Sequence, residues 1–312
     1  MAREILIPLD GSHFAEQALP CAMKLGQALP AKLVLFRAVS SPQNGRHSLS
    51  KVGCEKRPAT GEQKARAHEY LQGMAYSLQG TVPGVGCVIR EGDVAKALVD
   101  YAAEMDTQQI VMATHAHNGH RGWADSSVAE RVVQTACTPV LLVHGREQAA
   151  GAALEPASCC RVLVALDGSD WAEQILPQLA ATVGALGCEL VLFQASYSFL
   201  FDFSSRAADR MAAAYLERVA GRLEGQGIHV STALRPGPVA ETIVKYASAN
   251  DIDLIALPTH GRSGIAGKIL GSVAAQVLHW GSSPVWLVRA GGAHRAPEVG
   301  VGLSRVAGLG HA

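Results

Sequence analysis

At 312 residues the chain is long enough for two domains of ordinary size, about 100–200 residues each. Apolar residues make up 48% and charged residues 17%, which excludes a disordered chain or a charge-laced coiled coil. Lys+Arg and Asp+Glu both number 27, so no net charge draws the chain to nucleic acid or to an anionic membrane surface.

Met1-Ala2-Arg3-Glu4 leads straight into a strand-like run, without the basic start and apolar region of a secretion signal. No stretch reaches the ~18 apolar residues that span a bilayer. Apolar runs then follow at 5–9, 33–36, 85–89, 110–113 and 140–143. They are almost continuously aliphatic, the pattern of strands buried on both faces of a parallel sheet. Helical patterns lie between them. In Val94–Glu104, residues Val94, Ala97, Leu98, Tyr101 and Ala102 recur at helical spacing. Residues 145–158, rich in Ala, Gly and Glu with Pro156, read as a linker. The series then restarts with runs at 162–166, 190–193, 229–233, 254–257 and 285–288. Beyond Arg289 the Gly- and Ala-rich tail has no periodicity and reads as flexible. Strands alternating with helices imply right-handed βαβ units and a doubly wound sheet in each half.

The two halves are one repeat. Asp10-Gly11-Ser12 matches Asp167-Gly168-Ser169 at a separation of 157 positions, and Leu33-Val34-Leu35-Phe36 matches Leu190-Val191-Leu192-Phe193 at the same separation. Later landmarks (Gly92 with Gly237, His115 with His260, Pro139 with Pro284) are 145 positions apart. The first copy therefore carries 12 extra residues between Phe36 and Gly92, placed by composition in the polar stretch 40–62. The reading divides the chain into a first domain at 1–145, a linker at 146–159, a second domain at 160–290 and a tail at 291–312.

In doubly wound sheets ligands bind outside the carboxyl ends of the strands, where the strand order reverses. In the second copy the fourth strand ends at Leu257-Pro258-Thr259-His260. Gly261 follows, then nine residues, then Gly271-Ser272 opening a helix. Glycine lets backbone approach an anion closely, and a helix N-terminus offers free N–H groups and a favourable dipole. Ser272 can donate to a phosphate or cap the helix, and with no ligand Gly261 is simply a turn. Arg262 is the candidate for charge pairing, and Lys268 lies in the spacer. Asp167 can accept from a ribose hydroxyl or an adenine amino group, or cap the next helix.

His115, His117 and His120 cluster without the spacing or acidic partners of a zinc site, and read as a solvated loop. Seven cysteines without a CxxC fit reduced thiols better than a disulfide framework, and the vicinal pair Cys159–Cys160 is the one candidate for redox chemistry. There is no nucleophile elbow, no Walker-type Gly-Lys run and no carboxylate pair placed for Mg²⁺ or for activating water, so the chain reads as a binding protein and not an enzyme, with any nucleotide hydrolysis slow and incidental.

On these residues the chain resembles the universal stress protein family, over nearly its whole length and twice. ATP-binding members carry G-x2-G-x9-G-[S/T] in this loop. The second copy matches it with Gly261, Gly271 and Ser272 but has Pro258 at the first glycine, which removes one N–H. The first copy has Ala113, Ala116, Ser126 and Ser127 at these points, with Trp123 and Asp125 inside the spacer, and looks degenerate for ATP. The resemblance implies an α/β fold: two tandem Rossmann-like domains of the adenine nucleotide alpha hydrolase-like kind, each a five-stranded parallel sheet flanked by helices. It implies ATP, with Mg²⁺ as a companion ion, held in the second copy by Ala165, Leu166, Asp167, Ala195, Leu257, Pro258, His260, Gly261, Arg262, Gly271, Ser272 and Val273. In such a site Ala195 contributes backbone to adenine. It also implies a cytoplasmic stress-response protein in which the last strands, 140–143 and 285–288 with Trp286, pair as an intrachain pseudo-dimer, with a homodimer as a further state. The alternative is a scaffold of the same fold that acts without nucleotide.

Overall fold

The structure is a computed structural model that describes residues 3–29, 31–39, 60–115, 128–145, 160–196, 203–259 and 270–289. The linker read at 146–159 and the tail read at 291–312 lie outside the described residues.

The first copy runs β1 (Arg3–Pro8), α1 (His13–Glu16), α2 (Leu19–Ala28), β2 (Ala31–Val39), α3 (Gly61–Ser77), β3 (Val85–Glu91), α4 (Val94–Glu104), β4 (Gln109–His115), α5 (Val128–Thr135) and β5 (Val140–Gly145). The second copy repeats the series as β6 (Arg161–Ala165), α6 (Asp170–Glu173), α7 (Leu176–Leu186), β7 (Glu189–Ser196), α8 (Phe203–Glu224), β8 (Val230–Pro236), α9 (Val239–Ala249), β9 (Leu254–Pro258), α10 (Ser272–Trp280) and β10 (Val285–Val288). All ten apolar runs become strands, with ends that differ from the sequence reading by a few residues. The run read at 229–233 is β8, which starts at Val230 and continues to Pro236 because it follows β7 in register as far as Ser196. The extra length of the first copy falls where composition placed it. β2 ends at Val39 and α3 starts at Gly61, whereas β7 ends at Ser196 and α8 starts at Phe203.

Local chemistry explains the helix starts. Ser12 and Ser169 cap α1 and α6 by accepting from the N–H of Ala15 and Ala172. Asp93 accepts from the N–H of Lys96 at the start of α4. Thr60 and Gln63 exchange hydrogen bonds as a capping box for α3. Proline stands in the first turn of α2 and of α7, where its missing N–H has no helical partner to lose.

The strands form one ten-stranded sheet in the order β3-β2-β1-β4-β5-β10-β9-β6-β7-β8. Within each copy all pairings are parallel. At the junction β10 pairs antiparallel with β5, through Val285–Leu142, Trp286–Leu141 and Leu287–Val140. Helices cover both faces. One face carries α2, α3, α7 and α8 over a core that includes Ile5, Ile7, Leu71, Leu141, Leu192, Val219 and Trp286. The other carries α4, α5, α9 and α10 over Leu6, Phe36, Leu98, Val132, Phe193, Ile243 and Val277. Each core is continuous across the junction, so the two copies share both hydrophobic layers.

Candidate functional site

In the second copy the strand order reverses at β6, which has β7 on one side and β9 on the other. The crevice beyond the carboxyl ends of β6 and β9 is therefore where this topology places a ligand. The β6 side is built by Ala165, Leu166 and Asp167. The N–H of Leu166 donates to Phe193 O at 2.8 Å, which fixes the strand end beside β7. Gly168, at φ 79°, then turns the chain into α6, a conformation that costs a glycine little.

Asp167 does not cap α6, as the sequence allowed. Its Oδ1 accepts from the backbone N–H of Ser169 at 3.0 Å and from Ser169 Oγ at 2.5 Å, and Ser169 is the cap. The carboxylate thus fixes the residue that starts the helix, and the whole Asp-Gly-Ser turn is one hydrogen-bonded unit. Asp10 and Ser12 repeat it in the first copy, at 2.8 Å and 2.5 Å.

The β9 side ends at Leu257 and Pro258, and Pro258 lies opposite Val288 of β10. The next residue, Thr259, donates its N–H to Val288 O at 3.0 Å. Thr259 O in turn accepts from the N–H of Gly271 at 3.1 Å. A Cβ on Gly271 would stand 3.0 Å from that same oxygen, tighter than most real side-chain contacts, so glycine lets the backbone at Gly271 close on Thr259. Ser272 does not cap α10 either. Gly271 occupies the cap position, and among the described residues no side chain caps the helix start. Ser272 is the exposed first helical residue, and Val273 packs half-buried against the core of that face. An α-helix N-terminus with no side-chain cap carries the positive end of the dipole and N–H groups directed outward.

The structure thus places Ala165, Leu166, Asp167, Leu257, Pro258, Gly271, Ser272 and Val273 around the ends of two adjacent strands. Ala195 lies near the end of β7, half-buried and in register with Arg235. His260, Gly261 and Arg262 lie outside the described residues, as does Lys268.

One pair of residues at this end of the sheet belongs to no motif in the sequence. Gln194, at the end of β7 beside Leu166, has its Oε1 buried with no hydrogen-bond partner among the described residues. An orphaned buried acceptor is costly unless something donates to it. Its counterpart in the first copy, 157 positions earlier, is Arg37. There the guanidinium stands 3.3 Å from where a Cβ on Gly11 would be, and 5.2 Å from the centroid of the Tyr70 ring. Tyr70 donates to Glu16 at 2.8 Å, and burial, then that bond, pushes its hydroxyl well above the ordinary tyrosine range. The first copy therefore carries a positive charge where the second has an uncharged acceptor. Laying the two repeats over each other at the 157 separation was the signal that could have shown it.

In the first copy Ala113 lies in β4, while Ala116, Trp123, Asp125, Ser126 and Ser127 lie outside the described residues. His115 ends β4 in register with Gly145. His117 and His120 lie outside the described residues, and among those described no group of three or more His, Cys, Asp or Glu is placed to hold a metal. No helix among them is long and apolar enough to cross a membrane.

Comparison with known proteins gives a consistent answer. The model of the universal stress protein family matches residues 1–144 and again 160–289. A universal stress protein of Synechocystis sp. is 26% identical, over 92% of this chain and all of its own length. One from Mycolicibacterium smegmatis is 24% identical over 91% of this chain and 96% of its own. The crystal structure of a universal stress protein from Archaeoglobus fulgidus superposes with a TM-score of 0.65 at 19% identity, covering 93% of this chain and 99% of that one.

Proposed function

The chain belongs to the universal stress protein family, carrying its domain twice, and from that premise we propose that it is a nucleotide-dependent regulatory protein whose second copy binds ATP while the first serves as its structural partner. The observation that carries the reading is the start of α10, which has no side-chain cap among the described residues and is held at the end of β9 by the Gly271–Thr259 bond. The orphaned Gln194 Oε1 is a feature a bound nucleotide would explain.

In this reading Asp167 and the backbone of Leu166 and Ala195 face the adenosine. Ser272 and Val273 offer donors to the phosphates, and Gly261, His260 and Arg262 complete that side, with Mg²⁺ on the phosphates. Pro258 supplies no N–H, so one contact of the glycine-rich pattern is missing. The guanidinium of Arg37 and the altered loop leave the first copy without nucleotide. The proposal is of binding without a catalysed step, in a cytoplasmic protein whose copies associate through β5 and β10.

The test is calorimetric titration of ATP with Mg²⁺ into the wild type, Gly271→Asp and Ser272→Asp. Ser272 is exposed, so its substitution introduces a negative charge with no packing cost, whereas Gly271→Asp also strains the loop. A single site per chain, lost in Ser272→Asp, is the expected result. Absence of binding to well-folded wild type would overturn the proposal and leave a scaffold acting through its surfaces.

A further inference from the structure

Three cysteines of distant sequence position meet at the join of the two copies. Cys160 immediately precedes β6 and Cys188 immediately precedes β7. Arg161 and Glu189 are register partners, and the N–H of Glu189 donates to Cys160 O at 2.8 Å. The two cysteines are thus neighbours at the mouths of adjacent parallel strands. Such strands lie about 4.8 Å apart, inside the roughly 4.4–6.8 Å between α-carbons that a disulfide spans. Both side chains turn to the same face: Cys188 is buried within the core under α7 and α8, and half-buried Cys160 packs against it. Cys21, on α2 of the first copy, packs against the same core.

Their chemistry differs. The neighbouring Cys188 thiol holds the Cys160 thiol below the ordinary cysteine pKa against the opposing effect of burial, and the cation of Lys24 acts in the same direction as Cys188. The hydrogen bond between the two thiols, together with burial, pushes Cys188 up. Burial pushes Cys21 up to about 12. Of the three, Cys160 is the one whose surroundings favour the thiolate, the reactive form.

We propose that Cys160 and Cys188 are a dithiol oxidised by hydroperoxides, Cys160 attacking and Cys188 resolving. The Cys160 sulfur attacks one peroxide oxygen and the O–O bond breaks. The other oxygen leaves with the thiol proton as alcohol or water, and Cys160 becomes a sulfenic acid. The Cys188 sulfur then attacks the Cys160 sulfur. The S–S bond forms, the S–O bond breaks, and the hydroxyl leaves as water with the Cys188 proton. Two thiols lose two electrons in all, and one hydroperoxide gains them. The bond ties the first residue after the 146–159 segment to β7 of the second copy.

The experiment treats the reduced full-length chain with hydrogen peroxide, blocks the remaining thiols and maps the peptides by mass. A Cys160–Cys188 crosslink that a thiol reductant reverses is expected. In Cys188→Ala the crosslink should vanish, with Cys160 trapped as sulfenic acid by dimedone. Cys160 joined instead to Cys21 or Cys159 would overturn the proposal. So would a wild type in which exposed Cys137 is oxidised while Cys160 and Cys188 stay reduced. The wild-type map decides the matter alone should the variant fail to fold.

Discussion

Trp286 of β10 stands directly opposite Leu141 of β5, and the two are the same position of the repeat, 145 residues apart. The pairs on either side, Val285–Leu142 and Leu287–Val140, are equally exchanged. A local twofold axis therefore passes between Trp286 and Leu141, as in an isologous interface where a surface meets its own copy. In a true dimer one side chain would meet itself there. Here an indole faces a leucine, and each is 1% exposed.

Trp286→Ala should therefore cost about 3–5 kcal/mol, since it empties the largest side chain at the centre of a shared core. Trp286→Leu, which makes the axis symmetric, should cost less. It fills part of the volume and removes an indole Nε1 that is buried without a partner among the described residues. Urea unfolding of both variants measures this. Because both cores cross the junction, the loss should shift one transition for the whole chain. Two separated transitions would show that the copies unfold independently.

Gly145, the last residue of β5, lies beneath the ring of Phe14 of α1. A Cβ there would stand 2.3 Å from Phe14 Cε2. Gly145→Ala should cost about 1–3 kcal/mol by forcing the ring aside. Adding Phe14→Ala should make the second cost smaller than it is in the wild type. A double-mutant cycle measures the coupling, and additive costs would mean that the ring moves freely.

His144 on β5 has both ring nitrogens buried without a partner among the described residues, and burial holds its pKa below the ordinary 6.5. The unfolded chain binds this proton first as pH falls. Stability is therefore lost on acidification below 6.5, by up to about 1.4 kcal/mol per pH unit until the folded pKa is reached. His144→Gln should flatten that part of the profile. Chemical denaturation at a series of pH values between 7.5 and 5 reads the difference, and parallel profiles would refute it.

Arg161 donates to Glu189 at 2.9 Å and to Asn250 O at 2.5 Å, and Ser231 Oγ donates to Glu189 at 2.6 Å. The Arg161 bond, then the Ser231 bond, holds the Glu189 carboxyl below its ordinary 4.5. The pair's contribution is thus present above 4.5 and lost as pH falls through the lower folded value. Arg161→Met should cost about 1 kcal/mol at neutral pH, a modest figure because both side chains are partly solvated. The gap from wild type should close in acid, as thermal unfolding at several pH values would show.

The strands were legible because each is a short aliphatic run between helical patterns, and the repeat made each copy a check on the other. Position in the site was less legible than composition. Asp167 and Ser169 are both good capping residues, and only the positive φ of Gly168 decides that Ser169 caps while Asp167 braces it. Ser272 looked like a cap because serine suits that role, yet Gly271 takes it, so that the backbone can close on Thr259. Arg37 and Gln194 passed unnoticed because each ends an otherwise apolar run, where a polar residue reads as the beginning of a loop.

The antiparallel seam also changes which hydrogen bonds water can reach. In a separate copy β5 or β10 would be an outer strand, its amides exchanging with solvent as readily as those of any fraying border. Joined, they occupy the middle of ten strands, and the borders become β3 and β8. In deuterated buffer the most slowly exchanging amides should therefore lie at the seam, not at the centre of either half, so that the place where the two copies meet would also be the last to open.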